Sequence, residues 1–149
     1  MKLRIYADTS VFSAYYDLRS PDRKMLTEQF WQGIDAFDRS VSELTIAELR
    51  QTRNSDLRAK LQNLLAGFQI HPITDEMRRL AEAYIQAGAF TRVMLDDAIH
   101  VAAATSTRQD ILISWNFMHL VNRRRRAIVN SVNISMGMPS IDILSPPEV

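Results

Sequence analysis

The sequence predicts an α/β fold, a three-layer α/β/α sandwich around a central, mainly parallel sheet. Short apolar segments alternate with one or two amphipathic helices, and no two-residue hairpin turn joins any pair of them, so successive strands must be linked by helical crossovers. The length, 149 residues, suits one domain spanning 1–149. Folding a chain of that size hides roughly 68 to 70% of its unfolded surface, enough for a proper interior. With 46% hydrophobic residues, 23% charged residues and no cysteine, the composition is that of an ordinary globule. Disulfides, thiolate zinc sites, iron–sulfur clusters and a cysteine nucleophile are all excluded.

The elements follow in order. Leu3, Ile5 and Ala7 alternate with Arg4 and Tyr6, a period of two that marks a strand, and Asp8-Thr9-Ser10 ends it with side chains suited to a helix cap. Residues 24–38 carry Leu26, Phe30, Ile34 and Phe37 at helical spacing, and a short strand at Arg39 to Ser42 should follow. Glu43 to Gln51 reads as a helix. Another starts at Asp56 as cap and runs through Leu57, Leu61, Leu64 and Leu65 to Gly67. Phe68 to Ile73 reads as a strand that Pro72 pushes to an edge or an end. Thr74 or Asp75 caps a helix with Met77, Leu80, Ala81, Tyr84 and Ile85 on one face, stopped by Gly88. Leu95 to Ser106 is an alanine-rich helix, Ile111 to Ser114 a buried strand, Phe117 to about Asn133 a helix, and Ser140 to Leu144 a last strand before Pro146-Pro147.

In open parallel sheets ligands bind at the carboxyl ends of the strands, so polar residues just after a strand are the first candidates for chemistry. Asp8 follows the first strand; Glu43 and Glu48 follow the second; Asp96 and Asp97 open the alanine-rich helix; Asn116 follows the fourth strand. Carboxylates gathered in one cleft repel each other, and the usual remedy is a hard cation bound through oxygen, Mg²⁺ or Mn²⁺, which can activate water in phosphodiester hydrolysis. Each acid also has a plainer reading: Asp8 as a helix cap, one of Glu43 and Glu48 as a solvated residue, Asp96-Asp97 as a complement to the helix dipole.

Three stretches in order resemble the acidic motifs of the PIN domain family: Tyr6-Ala7-Asp8-Thr9-Ser10-Val11-Phe12, Ser42-Glu43-Leu44-Thr45-Ile46-Ala47-Glu48-Leu49, and Asp97-Ala98-Ile99-His100-Val101-Ala102-Ala103-Ala104. Within that family the chain is similar to VapC-like toxins of bacterial toxin–antitoxin pairs. The resemblance implies a metal-dependent endoribonuclease in which Asp8, Glu48 and Asp97 hold Mg²⁺ or Mn²⁺. Motif register favours Asp97 over Asp96 and Glu48 over Glu43. It further implies RNA as substrate, a small antitoxin protein as partner, and a homodimer. The family's fourth acid is Asn116 here, which offers an oxygen without charge and should weaken a second metal more than a first. Asn116 as a cap for the Phe117 helix is the alternative. An inactive RNA-binding or regulatory relative and another metal-dependent phosphohydrolase are the rival functions. The second of these would want an acid where Ser10 stands, and the four glycines form no phosphate loop.

Around these acids, Thr9, Ser10, Asp96, His100 and His119 are candidate supporting residues. His100 lies three residues past Asp97 on one helix face, and His119 three past Asn116. His71, ahead of Pro72, reads as structural. The net charge is +1, yet from Trp115 to Ile141 the only charges are Arg123 to Arg126. With the apolar face set by Phe117, Val121, Ile128 and Val132, Arg124 and Arg125 should lean inward and Arg123 and Arg126 outward, free for RNA phosphates or simply solvated. Trp115 and Phe117 read as core. No apolar run reaches membrane-spanning length and the N-terminus lacks a secretory pattern, so no membrane partner and a cytoplasmic location are expected.

Overall fold

A computed structural model describes residues 1–149. Five strands, β1 (Leu3–Ala7), β2 (Phe37–Ser42), β3 (Gln69–His71), β4 (Ile111–Ile113) and β5 (Asp142–Leu144), form one sheet in the order β3-β2-β1-β4-β5, with every neighbouring pair parallel. Seven α-helices cover it: α1 (Thr9–Tyr15), α2 (Pro21–Gln32), α3 (Glu43–Arg50), α4 (Ser55–Asn63), α5 (Asp75–Gln86), α6 (Leu95–Ser106) and α7 (Arg123–Ser135). The predicted α/β/α sandwich is therefore the fold observed.

The layers follow from strand alternation. Ile5, Ala7, Val41, Ile111 and Ile113 bury one face of the sheet against Val11 and Phe12 of α1, Phe30 of α2, Leu49 of α3 and Leu61 of α4. Tyr6, Leu112 and Ile143 bury the other against α5, α6 and Val129 of α7. The alanines of α6 are fully buried, which lets this helix lie close on the sheet. The chain winds outward from β1 through β2 to β3, then crosses back to place β4 on the other side of β1. The order thus reverses between β1 and β4, the switch point at which such sheets open a crevice beyond the strand ends. Ala7 pairs with Ile113 there, so Asp8 and Ser114, each one residue further on, emerge side by side.

Several expected boundaries shift. The helix expected over residues 24–38 ends at Gln32; Ile34–Ala36 form a 3₁₀ turn, and Phe37 opens β2 instead of closing the helix. Helix α4 is capped by Asn54, whose side chain accepts from the Leu57 amide, rather than by Asp56. Strand β3 is only three residues long and lies at the sheet edge, as Pro72 requires.

Helix α7 departs furthest from the expected bounds. Residues 117–122 form turns, and the helix begins at Arg123 with Asn122 capping the Arg125 amide at 3.1 Å. The buried positions are then Val129 and Asn133, which rotates the arginine run. Arg123 and Arg124 are exposed. Arg125 donates to the carbonyls of Ala89 (2.7 Å) and Met118 (3.2 Å), while Arg126 donates to Ile143 O at 3.0 Å. Arg126, expected outward, therefore points inward, and Arg124, expected inward, is exposed.

Candidate active site

Asp8 is 5% exposed at the end of β1 and serves as N-cap of α1. Its Oδ1 accepts from the Ser10 amide (3.1 Å) and Ser10 Oγ (2.5 Å), and its Oδ2 accepts from Ser114 Oγ at 2.7 Å. Asp8 thus caps α1 while standing at the switch point where the other reading puts a site acid. Burial pushes the Asp8 carboxyl above the usual carboxylate range, and the nearby charge of Asp97 adds to the rise; His100 and the Ser10 and Ser114 hydroxyls oppose it.

Glu48 projects from α3, half-buried, and its Oε1 accepts from Thr9 Oγ1 (2.8 Å) and contacts His100 Nε2 (2.5 Å). Glu43, its alternative, sits on the other side of α3 and accepts the Ile73 amide at 3.1 Å, anchoring the turn after β3. On α6, Asp96 is exposed, whereas Asp97 is half-buried with its Oδ2 2.9 Å from His119 Nδ1. Burial raises the Asp97 carboxyl too, with the Glu48 charge contributing, against the lowering effect of His119 and His100. Asp97 thus lies close enough for its charge to act on Asp8 and for that of Glu48 to act on it.

Two histidines tie the acids in place. His100, 3% exposed, bridges Glu48 on one ring nitrogen and Tyr6 Oη (2.7 Å) on the other; Tyr6 in turn meets Ser42 Oγ at 2.7 Å. Burial works against charge on this ring, but Tyr6, Glu48 and Asp8 around it prevail and raise its pKa to about 10, so it is an imidazolium at neutral pH. Burial would raise Glu48, yet the bond to His100, its charge and Thr9 win and lower it. Asn116 Oδ1 accepts the His119 amide at 3.0 Å, so Asn116 caps the turn that delivers His119 to Asp97. Its own amide donates to Ser114 Oγ (2.9 Å).

Tyr6, Ser42 and Ser114 were not among the expected site residues. A signal for each exists: a buried tyrosine needs a partner for its hydroxyl, and Ser42 and Ser114 stand directly at the ends of β2 and β4, as Asp8 stands at the end of β1. Of the candidate RNA contacts, Arg123 is free at the start of α7 and Arg126 is engaged with Ile143.

The donor chemistry fits a hard divalent cation: every ligand would be a carboxylate oxygen, and two of the three carboxyls bear raised pKa values that a cation would relieve. No three His, Asp or Glu side chains are placed to hold one ion together, and Glu48 and Asp97 each turn one oxygen to a histidine. The second oxygen of each accepts no hydrogen bond from the protein. No helix is long and apolar enough to cross a membrane.

A model of the PIN domain family matches residues 5–116. No curated protein matches the sequence. Among solved structures, a toxin–antitoxin complex from Klebsiella pneumoniae is similar at 19% identity, over 81% of this chain and 93% of that one, with a TM-score of 0.60. VapBC2 from Rickettsia felis, bound to a fragment of its promoter DNA, is similar at 10% identity over 96% and 98% of the two chains, with a TM-score of 0.59. VapBC-5 of Mycobacterium tuberculosis, a member of a family of toxin–antitoxin systems, is similar at 21% identity over 95% and 98%, with a TM-score of 0.53. At these identities the likeness is one of fold.

Proposed function

The chain belongs to the PIN domain family, and from that premise we propose that it is a metal-dependent endoribonuclease, the toxin of a toxin–antitoxin pair acting in the cytoplasm. What supports the reading is that Asp97 acts electrostatically on Asp8 and Glu48 on Asp97, three acids from separate elements near the β1/β4 switch point, with Asp8 and Asp97 held above their ordinary pKa. Those three carboxylates would hold Mg²⁺ or Mn²⁺, which supplies an activated water and charge stabilisation at the departing oxygen of a phosphodiester.

The chain's own groups orient this chemistry. Ser10 and Ser114 hold Asp8 in one rotamer from both sides. Thr9 and His100 fix Glu48, and the Tyr6–Ser42 pair fixes the His100 ring behind it. His119, more exposed than His100, is the group positioned to carry a proton to a leaving oxygen or to meet a phosphate. Arg123 and Arg124, with no acid between Trp115 and Ile141, supply the charge that attracts an RNA backbone. The partner is a small antitoxin protein, in keeping with the complexes to which the chain is similar. The working unit is a homodimer.

Cleavage of a single-stranded RNA in Mg²⁺ or Mn²⁺ tests the reading. It should be lost on Asp8→Asn and on Asp97→Asn with the fold intact, and equal cleavage by those variants would refute it. The rival, a catalytically weak RNA-binding relative, draws on Asn116, whose side chain is spent on the His119 amide. Asn116→Asp, which keeps that cap and adds charge, should tighten Mn²⁺ binding; an unchanged titration would put position 116 outside the metal's surroundings.

A further inference from the structure

We propose that the groove beside Asp8 is a nucleobase subsite, in which a base of single-stranded RNA next to the cleaved phosphate stacks on Phe117 while Arg23 takes the adjoining phosphate. This rests on the ribonuclease reading and extends it to how substrate is held. The groove, about 420 Å³, is lined by Ser10, Arg23, Trp115, Asn116, Phe117 and Met118. It begins at the site itself: Ser10 Oγ is bonded to Asp8 and also accepts the Trp115 amide at 2.9 Å.

Trp115 is buried and pinned by its Nε1–H to Thr27 Oγ1 at 2.9 Å, so it forms a rigid floor. Phe117, expected in the core, is instead 47% exposed, leaning edge-on against Trp115 with ring centroids 6.0 Å apart at 66°. The Arg23 guanidinium lies 4.9 Å from the Trp115 centroid and 5.7 Å from that of Phe117, and it makes no salt bridge. Met118, 76% exposed, continues the apolar wall. No acidic side chain lines the groove. A fixed aromatic platform with a guanidinium that makes no salt bridge, though its charge reaches the Asp17 carboxyl, and with no acid in the lining suits a ligand with a π-face and a negative charge, which is the description of a nucleotide. Stacking tolerates any base, so the subsite would confer affinity and position rather than a strict sequence.

Two measurements on one fluorescein-labelled single-stranded RNA test this: steady-state cleavage in Mn²⁺, and equilibrium affinity in EDTA by anisotropy. Phe117→Ala should weaken affinity and raise KM by roughly 5- to 100-fold, more than it lowers kcat, the range that loss of one stacked base gives. Phe117→Tyr should restore both, and Phe117→Leu, which keeps the packing on Trp115, should lie between. Arg23→Ala should weaken affinity and flatten its salt dependence by about one phosphate contact. An abasic nucleotide beside the cleaved bond should cost the wild type but not Phe117→Ala. Wild-type cleavage with KM and affinity unmoved in Phe117→Ala and Phe117→Leu would overturn the subsite and leave the nuclease standing. Absence of wild-type cleavage would sink the nuclease reading, and the EDTA affinities would still decide the subsite. RNA affinity intact in Phe117→Ala together with release of a bound antitoxin would assign the groove to protein and overturn the proposal.

Discussion

Ser114→Ala removes a hydroxyl that is fully buried at the end of β4 and donates to Asp8 Oδ2 at 2.7 Å. A hydrogen bond to a charged group contributes about 1.5–3 kcal/mol, against about 0.5–1.5 kcal/mol between neutral groups. The same hydroxyl accepts the Asn116 amide at 2.9 Å, which would lose its partner. The expected loss is therefore about 2–4 kcal/mol. In a chain of this length it lowers Tm by about 5–15 °C at about 2–4 °C per kcal/mol. The loss should be measured by urea unfolding at neutral pH without added metal, for Ser114→Ala alone and in an Asp8→Asn background. With a neutral amide at position 8 the bond is an ordinary one, so the cost of Ser114→Ala should fall by about 1 kcal/mol or more. It should also shrink toward acid pH, where the Asp8 carboxyl, already raised by burial, takes up a proton. A loss under about 0.5 kcal/mol, or the same loss in both backgrounds, would refute the argument that Ser114 holds a charged Asp8.

The His100–Glu48 contact gives a pH window. The raised pKa of His100 means that its contribution is complete below the free imidazole value and fades as pH climbs toward about 10, while the lowered Glu48 keeps its share until pH falls below the usual glutamate value. His100→Gln should cost about 1–3 kcal/mol near pH 6, less than a fully buried pair because Glu48 is partly exposed; a difference in Tm that stays constant from pH 6 to 10 would contradict this. Gly67 and Gly88 have φ of +82° and +84°, but only at Gly67 would a Cβ strike a neighbour, 2.9 Å from Cζ of Arg39. Alanine at either position should cost about 1–2 kcal/mol for the left-handed backbone. Gly67→Ala should cost more, because it also displaces the guanidinium from Phe68; equal losses in the two variants would show that Arg39 is not held there.

How far the sequence carries depends on whether the determining contacts are local. Helix α6 appears with the bounds its alanine pattern predicts, and Thr74 caps α5 through Met77 as its spacing implies, because propensity and caps act within one turn. Helix α7 fails at its start: Phe117 and Val121 have helical spacing, yet Asn116 and Asn122 each cap a separate turn, and the second cap sets the register. That displacement rotated the arginine run and brought Phe117 half into solvent. At the site, Asp8 stood out because it directly follows a strand and Asp97 because it lies in the first turn of α6, whereas Glu48, near the end of α3, was preferred to Glu43 only through the motif resemblance. What surrounds them was not legible. Tyr6 meets His100 across 94 positions and Ser114 meets Asp8 across 106, contacts that only the β1–β4 pairing and the packing of α6 create.

In the proposed enzyme one cation, held by Asp8, Glu48 and Asp97, would support RNA hydrolysis. The most direct test is a single Mn²⁺ titration read two ways in the same samples, by thermal stability and by the single-turnover rate of cleavage of a labelled single-stranded RNA. Binding to the folded state alone should stabilise by about 2.7 kcal/mol at a hundred times the Kd. That corresponds to a rise in Tm of about 5–10 °C. The rate should rise with the same midpoint as Tm, and Asp97→Asn should abolish both responses while remaining folded. Cleavage that persists in Asp97→Asn, or that rises with Mn²⁺ while Tm stays flat, would contradict the proposal.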